Sequence, residues 1–395
     1  MAFLGNTTVN RINAHYGIHA FAQGAGGIFL LVFLLKMGLS VPATLLALAA
    51  IVAGRFVLRP IVLPLGKRFG LKPLLIFGST VHAVQYLVLA EVDGIGPALF
   101  LFVFVSSLGD VFYWTCYHAY FSSLGDAEHR GHQVGAREAL AAVVGIVAPL
   151  FGAFALEILG PRPAFAMVAL IQASSALPLL AAPNIAIKPS AEGVMRSARL
   201  SIALFLFDGW FAGCYYLIWQ IALFISLGES YSAYGGAMAL AALVGAGAGL
   251  MLGRQIDAGR GQRAVVIAWV VAVGVVVMRA TSLDWPEFAV AANALGALVA
   301  CLLSPAQMTP VYNMAKTSPC PLRFHIASEG GWDVGCFSAA IMAALLASAG
   351  VSLAVPILLA APAVTVVAVL LRGYYARHAV AIDLPVVPVE PGLLP

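Results

Sequence analysis

The feature that most constrains this chain is a succession of apolar runs, each about 20 residues long, separated by short turns of Gly, Pro and charged residues. Lipid offers no partner to an unpaired backbone amide, so a run of that length crosses a bilayer as a helix. Twelve runs fit, at about 17–37, 41–64, 73–91, 95–122, 134–157 and 161–182, then about 200–227, 231–253, 264–281, 286–312, 332–349 and 351–372. The composition agrees: 62% of residues are hydrophobic and 10% charged, where a soluble domain carries roughly 25% charged residues. The chain is expected to be an all-α polytopic membrane protein with twelve transmembrane helices.

The longest interior polar break, 183–199, contains Lys188, Glu192, Arg196 and Arg199 and reads as a cytoplasmic linker. It separates an N-terminal six-helix bundle, 1–182, from a C-terminal one, 200–372, and a Pro-rich tail, 373–395, follows. Lys and Arg alternate between loops as the positive-inside rule requires. With the N-terminus inside, sixteen of the 21 basic residues fall on one side, and only Lys36, Arg162 and Arg279 on the other. Arg55 and Arg59 stay within the second helix. Both termini are therefore expected in the cytoplasm, in a plasma or bacterial inner membrane. Basic residues form no run longer than two, which argues against a nucleic-acid partner. The five scattered cysteines indicate neither a disulfide framework nor a zinc site. No phosphate loop, paired CxxC, HExxH or GxSxG motif is present, so neither an enzyme, a metal nor a cofactor is expected.

An internal repeat runs at an offset near 190 residues: Phe21-Ala22 with Phe211-Ala212, Gly66-Lys67 with Gly259-Arg260, and Arg130 with Arg323. The loop motifs carry a resemblance. Gly253-Arg254-Gln255-Ile256-Asp257-Ala258-Gly259-Arg260 is similar to the loop signature of the major facilitator superfamily. The first-half copy, Leu65 to Lys72, keeps Gly66, Arg68 and Gly70 but has Lys67 where that family usually has Asp. Arg130-Gly131 followed by Gly135 looks like the family's turn between helices four and five. Gly145, Pro149 and Gly152 on the fifth helix are similar to the Gly-Pro-Gly motif of proton-coupled exporters, and also suit close helix packing. The resemblance implies a secondary transporter working by alternating access, with helices one, four, seven and ten lining a central cavity.

An ionisable residue inside a span is the first candidate for function. Asp110 lies midway along the fourth helix, on one face with Ser106, Trp114 and Tyr117. It reads either as a carboxylate that binds and releases a proton or as a fixed partner of Arg55. The other cavity helices carry His15, His19 and Gln23 on the first, Asp208, Tyr215 and Trp219 on the seventh, and Asn293, Ser304 and Gln307 on the tenth. His15 and His19 stand at the helix entrance, where an interfacial position is expected. Asp208 is expected near the cytoplasmic end in contact with solvent, Glu157 and Arg279 at the outer rim, and His82 as a packed histidine. The partners expected are a small-molecule substrate, protons as a coupling ion, and the bilayer, with the monomer as the working unit. Export of an amphiphilic or cationic compound leads. Import or uniport of a polar metabolite, and a non-transporting scaffold or sensor, are the competing readings.

Overall fold

The computed structural model is all-helical and describes residues 6–124, 130–188, 190–256 and 261–382. Among these residues the helices fall into twelve rods. They are α1 (Thr7–Lys36), α2 (Val41–Phe69), α3 (Leu71–Leu89), α4 (Pro97–Leu124), α5 (Arg130–Phe154 with a π-helical end, Ala155–Leu159) and α6 (Pro161–Leu180). Then come α7 (Val194–Ser226), α8 (Tyr231–Ile256), α9 (Gly261–Thr281), α10 (Pro286–Thr317), α11 (Pro321–Ser348) and α12 (Ala354–Leu358 running on as Ala360–Ile382). Nine of the described rods, all but α3, α5 and α8, are long and apolar enough to cross a membrane, and Val143–Leu159 in α5 is a shorter apolar helix. Side chains such as Val57 and Leu170, each more than 70% exposed, point away from the bundle, as a lipid-facing surface requires.

Two helix starts differ from the apolar windows by ten residues or more. Helix α1 starts at Thr7 rather than 17, capped by the Asn6 side chain, which accepts from the Val9 amide at 3.1 Å. Helix α11 starts at Pro321 rather than 332, with Pro in the first turn, where its missing N–H costs nothing. In both cases polar residues, His15 in α1 and Glu329 in α11, end an apolar window without ending the helix. The RGxxxG segment is likewise helical: Arg130 and Gly131 form the first turn of α5, and Gly135 lies in its second.

One end of the bundle is tied by the end of α6 and the first residue of the linker. Arg11 donates to the Ala181 carbonyl, Lys72 Nζ to those of Leu180 and Ala182, and Tyr120 to that of Pro183. Gly70 turns the chain from α2 into α3 with φ +81°, a conformation glycine adopts without strain. Asn184 latches this turn, accepting from the Lys72 amide at 3.1 Å and donating to the Phe69 carbonyl at 2.8 Å. Gly66 is buried against Leu322 and Ile187, and the Arg68 guanidinium lies over the Phe69 ring. Gly253 is in the last turns of α8, whereas Asp257 and Arg260 lie outside the described residues.

Two long seams join the first six rods to the last six: α5 against α8, and α2 against α11. The first is built from small residues. A side chain on Gly145 would meet Ala242, and one on Gly235 would meet Ala153 and the Pro149 carbonyl. Gly152 faces the other way, onto the Ala25 carbonyl of α1. The second seam is built from charges.

Candidate functional site

Arg55 and Arg59 stand one turn apart on α2, and Glu329 and Asp333 one turn apart on α11. The same four-residue spacing on facing helices sets two guanidiniums against two carboxylates. Arg55 Nη2 lies 2.6 Å from Asp333 Oδ1 and 3.3 Å from Glu329 Oε2. Arg59 donates from Nε to Asp333 Oδ2 at 2.9 Å, pairs with the same oxygen through Nη2, and donates from Nη1 to Thr115 Oγ1 of α4 at 2.7 Å. All four ionic side chains are at most 6% exposed. An isolated ion at such a place costs several kcal/mol, so each is retained only through its partners.

Asp110 of α4 is the third carboxylate. Its Oδ2 is 3.9 Å from Arg55 Nη1, a loose pair, while Oδ1 is 3.0 Å from His82 Nε2 of α3. Asp110 thus shares Arg55 with the α11 acids and has an imidazole of its own. His82 is the ion partner that a packed histidine does not explain. The Asp110 side chain is 26% exposed, against 5% and 0% for Glu329 and Asp333, so it is the member of the cluster open to its surroundings.

The cluster continues across the two sets of helices. His118 Nε2 lies 3.5 Å from Glu329 Oε1, and its Nδ1 is 2.8 Å from the Tyr312 hydroxyl of α10. Arg137 of α5 donates to that hydroxyl at 3.1 Å, and His325 of α11 stacks on His118. Arg55 also lies over the Trp332 ring, 4.7 Å from its centroid. Trp332 and Gln307 reach the carboxylate of Asp208, which is half-buried within α7 and not at a solvated helix end as expected. Among the described residues, four carboxylates (Asp110, Asp208, Glu329 and Asp333) and three guanidiniums (Arg55, Arg59 and Arg137) surround this region.

The remaining sequence candidates divide between this cluster and two other places. Trp114 and Tyr117 face inward beside it: the Trp114 ring meets His19 and His118, and Tyr117 lies parallel to Tyr113, with centroids 5.8 Å apart. His15 and His19 are buried within the bundle rather than interfacial, because α1 begins earlier than its apolar window. Gln23 lies at the 3₁₀ break of α1, where it fills the space beside Gly27. Tyr215, Trp219 and Asn293 form a separate centre. Trp219 Nε1 donates to Asn293 Oδ1 at 3.0 Å, Asn293 Nδ2 donates to the Ala237 carbonyl at 3.0 Å, and the Tyr215 hydroxyl donates to the Gly296 carbonyl at 3.1 Å.

Arg279 belongs to that second centre and is not at the rim. It is 3% exposed, donates to the Tyr215 carbonyl at 2.5 Å, and lies over the Tyr215 and Trp219 rings. The carbonyl it caps belongs to a π-helical turn, Gly213–Leu217, where the regular helix bonding is displaced.

Glu329, Asp333, His118, Tyr312 and Arg137 are site residues that the sequence candidates omit, and of these only Glu329 falls outside the apolar windows. The signal that finds the first two is their spacing, which repeats that of Arg55 and Arg59.

The sequence profile of the Major Facilitator Superfamily matches residues 16–319. No curated protein sequence matches the chain. Among solved structures, the chain is similar to the human organic anion transporter MFSD10 (TETRAN), with TM-score 0.67 at 16% identity, covering 92% of this chain and 99% of that one. It is also similar to the transporter FucP in its outward conformation, with TM-score 0.68 at 13% identity and coverage of 92% and 98%. A single-residue variant of the E. coli fucose:proton symporter FucP gives TM-score 0.66 at 14% identity, with the same coverage. These neighbours share the fold, all of them are transporters rather than enzymes, and the profile spans most of the chain: the protein is an integral membrane transporter of the Major Facilitator Superfamily.

Proposed function

We propose that this transporter is proton-coupled, with Asp110 as the carboxylate that takes up and releases the proton. The observation that carries the reading is the shared guanidinium: Asp110, Glu329 and Asp333 all face Arg55, and the carboxylates around the site outnumber the arginines by one. A proton supplies the missing positive charge. When Asp110 is protonated, Arg55 is left to the α11 acids and the α2–α11 seam tightens. When Asp110 is ionised, it competes for Arg55 from the α4 side. A proton thereby alters the contact between the two bundles, 1–182 and 200–372, which rock as six-helix halves about the cargo site with both termini in the cytoplasm.

Excess acid beside Trp114, Tyr117 and Trp332 suits a cationic or amphiphilic small molecule, since aromatic faces and carboxylates both attract cations. Export is the direction that agrees with the fifth-helix motif Gly145, Pro149 and Gly152.

The test uses purified protein in proteoliposomes. A thermal-shift screen first identifies a stabilising compound, and its flux is then measured with and without an imposed pH gradient. Wild-type flux responds to the gradient, and Asp110→Asn loses that response while still binding the compound. Intact, pH-independent flux in wild type and variant alike overturns the proposal.

A further inference from the structure

Three buried histidines lie outside the ionic seam, in the first six helices: His15 and His19 on α1 and His82 on α3, at 0%, 1% and 0% exposure. Each has one ring nitrogen committed to a fixed partner. His15 Nδ1 donates to the Ser175 carbonyl at 2.7 Å, and His19 Nδ1 donates to Gln172 Oε1 at 3.1 Å. His82 Nε2 donates to Asp110 at 3.0 Å. These acceptors fix the tautomers, so the other nitrogen of each ring carries no hydrogen. Those three imine nitrogens are buried without a hydrogen-bond partner. Burying an acceptor without a partner is costly, and three side by side are not a packing solution.

The rings are consecutive. His15 and His19 stack at 6.4 Å between centroids, and His19 and His82 at 5.7 Å. Tyr113 sits among all three, 5.6 Å from His15, 3.9 Å from His19 and 5.2 Å from His82, and its buried hydroxyl, both donor and acceptor, is also without a partner. The series begins at Asp110 and ends at His15, one turn from the exposed Arg11 at the bundle end bound by the linker.

We propose that His82, His19 and His15, with Tyr113 between them, form the route by which protons pass between Asp110 and the cytoplasmic end of α1; this rests on Asp110 being the proton-binding carboxylate. Each step balances. A proton arriving from the cytoplasm adds to His15 Nε2 and leaves from that nitrogen through a bridging water to His19 Nε2, because the two nitrogens are not in hydrogen-bond contact with each other; each Nδ1–H stays with its carbonyl partner. It then adds to His82 Nδ1, passing by exchange through water and the Tyr113 hydroxyl, and makes the imidazolium. His82 releases its Nε2 proton to Asp110 Oδ1 and is left as the other neutral tautomer; the reverse sequence resets it. Other ionisable groups facing the array are few among the described side chains. Arg55 of α2 faces it beyond Asp110, Arg137 of α5 lies over the Tyr16 ring, Tyr16 and Tyr117 flank it, and α6 contributes only the neutral Gln172 and Ser175.

The experiment is nitrogen NMR of full-length, histidine-labelled protein in lipid bilayers between about pH 5 and pH 8, where imidazoles titrate. Single His→Gln variants assign the signals. The proton itself is the probe. The wild type gives the reference rate of proton exchange at His82. His19→Gln slows proton exchange at His82 by about tenfold or more. Tyr113→Phe, which removes one oxygen and keeps the stack, slows it in the same direction. A His82 exchange rate unchanged in both variants overturns the route. The two readings fail separately, because unchanged exchange rates remove the route even where Asp110→Asn abolishes the response of flux to pH.

Discussion

The two seams that join the halves are similar in position and opposite in physics. Along α5 and α8 the backbones approach closely through Gly145, Ala242, Gly235 and Ala153, with no titratable side chain at those points. Along α2 and α11 two arginines and two acids meet, with a third acid competing for Arg55. A close-packed seam has one favourable geometry and depends on shape. A charged seam depends on protonation, because losing one charge strands its partner in a low-dielectric interior. On this account the α5–α8 contact is the fixed pivot, and the α2–α11 contact is the part a proton can loosen or tighten.

The largest effect is expected at the centre of the charged seam. Asp333→Ala leaves Arg55 and Arg59 short of a partner, at a cost of about 3–5 kcal/mol, read as a large fall in the thermal unfolding midpoint in detergent. Replacing Arg55, Arg59, Glu329 and Asp333 together with apolar residues of similar size recovers much of that loss but removes the response to pH. If the single variant is as stable as wild type, the seam is not held by its charges.

At the other seam, Gly235→Leu places a side chain against the Pro149 carbonyl and Ala153 and is expected to cost roughly 1–3 kcal/mol. The loss is the same at low and high pH, since the atoms that the new side chain meets carry no titratable group, and a pH-dependent loss breaks the contrast between the seams. The smallest effect is expected away from both. Trp219→Phe removes the hydrogen bond to Asn293 and lowers stability by about 1 kcal/mol, leaving the pH profile of flux unchanged. A shifted pH profile in this variant would bring the second aromatic centre into the coupling path.

The rods and Asp110 were legible because both are local signals: an apolar run, and one carboxylate inside it. The charged seam was legible only in half. Arg55 and Arg59 lie within a strong apolar run, whereas Glu329 falls in a polar helix start that a hydropathy window treats as a loop, and Asp333 stands at the edge of the window that follows. The same blind spot placed His15 and His19 at an interface, although Asn6 starts the helix well before them. Arg279 was misplaced for a different reason. Nothing in its neighbourhood in sequence reveals a displaced carbonyl and two aromatic faces contributed by another helix. Burial of a charge by distant partners is a tertiary property, and spacing matched between helices, as in the two four-residue pairs, is its one trace in the sequence.

The contrast between the seams is measured most directly by spin-label distances across each of them in lipid bilayers. Labels at Val57 and Val334 report on α2 and α11, and labels at Val143 and Leu243 report on α5 and α8, all four being outward-facing positions. Between about pH 5 and pH 8 the first distance distribution shifts in the wild type, the shift is lost in Asp110→Asn, and the second distribution stays fixed. Equal movement at both seams, or a shift at the α2–α11 seam that survives Asp110→Asn, contradicts the account.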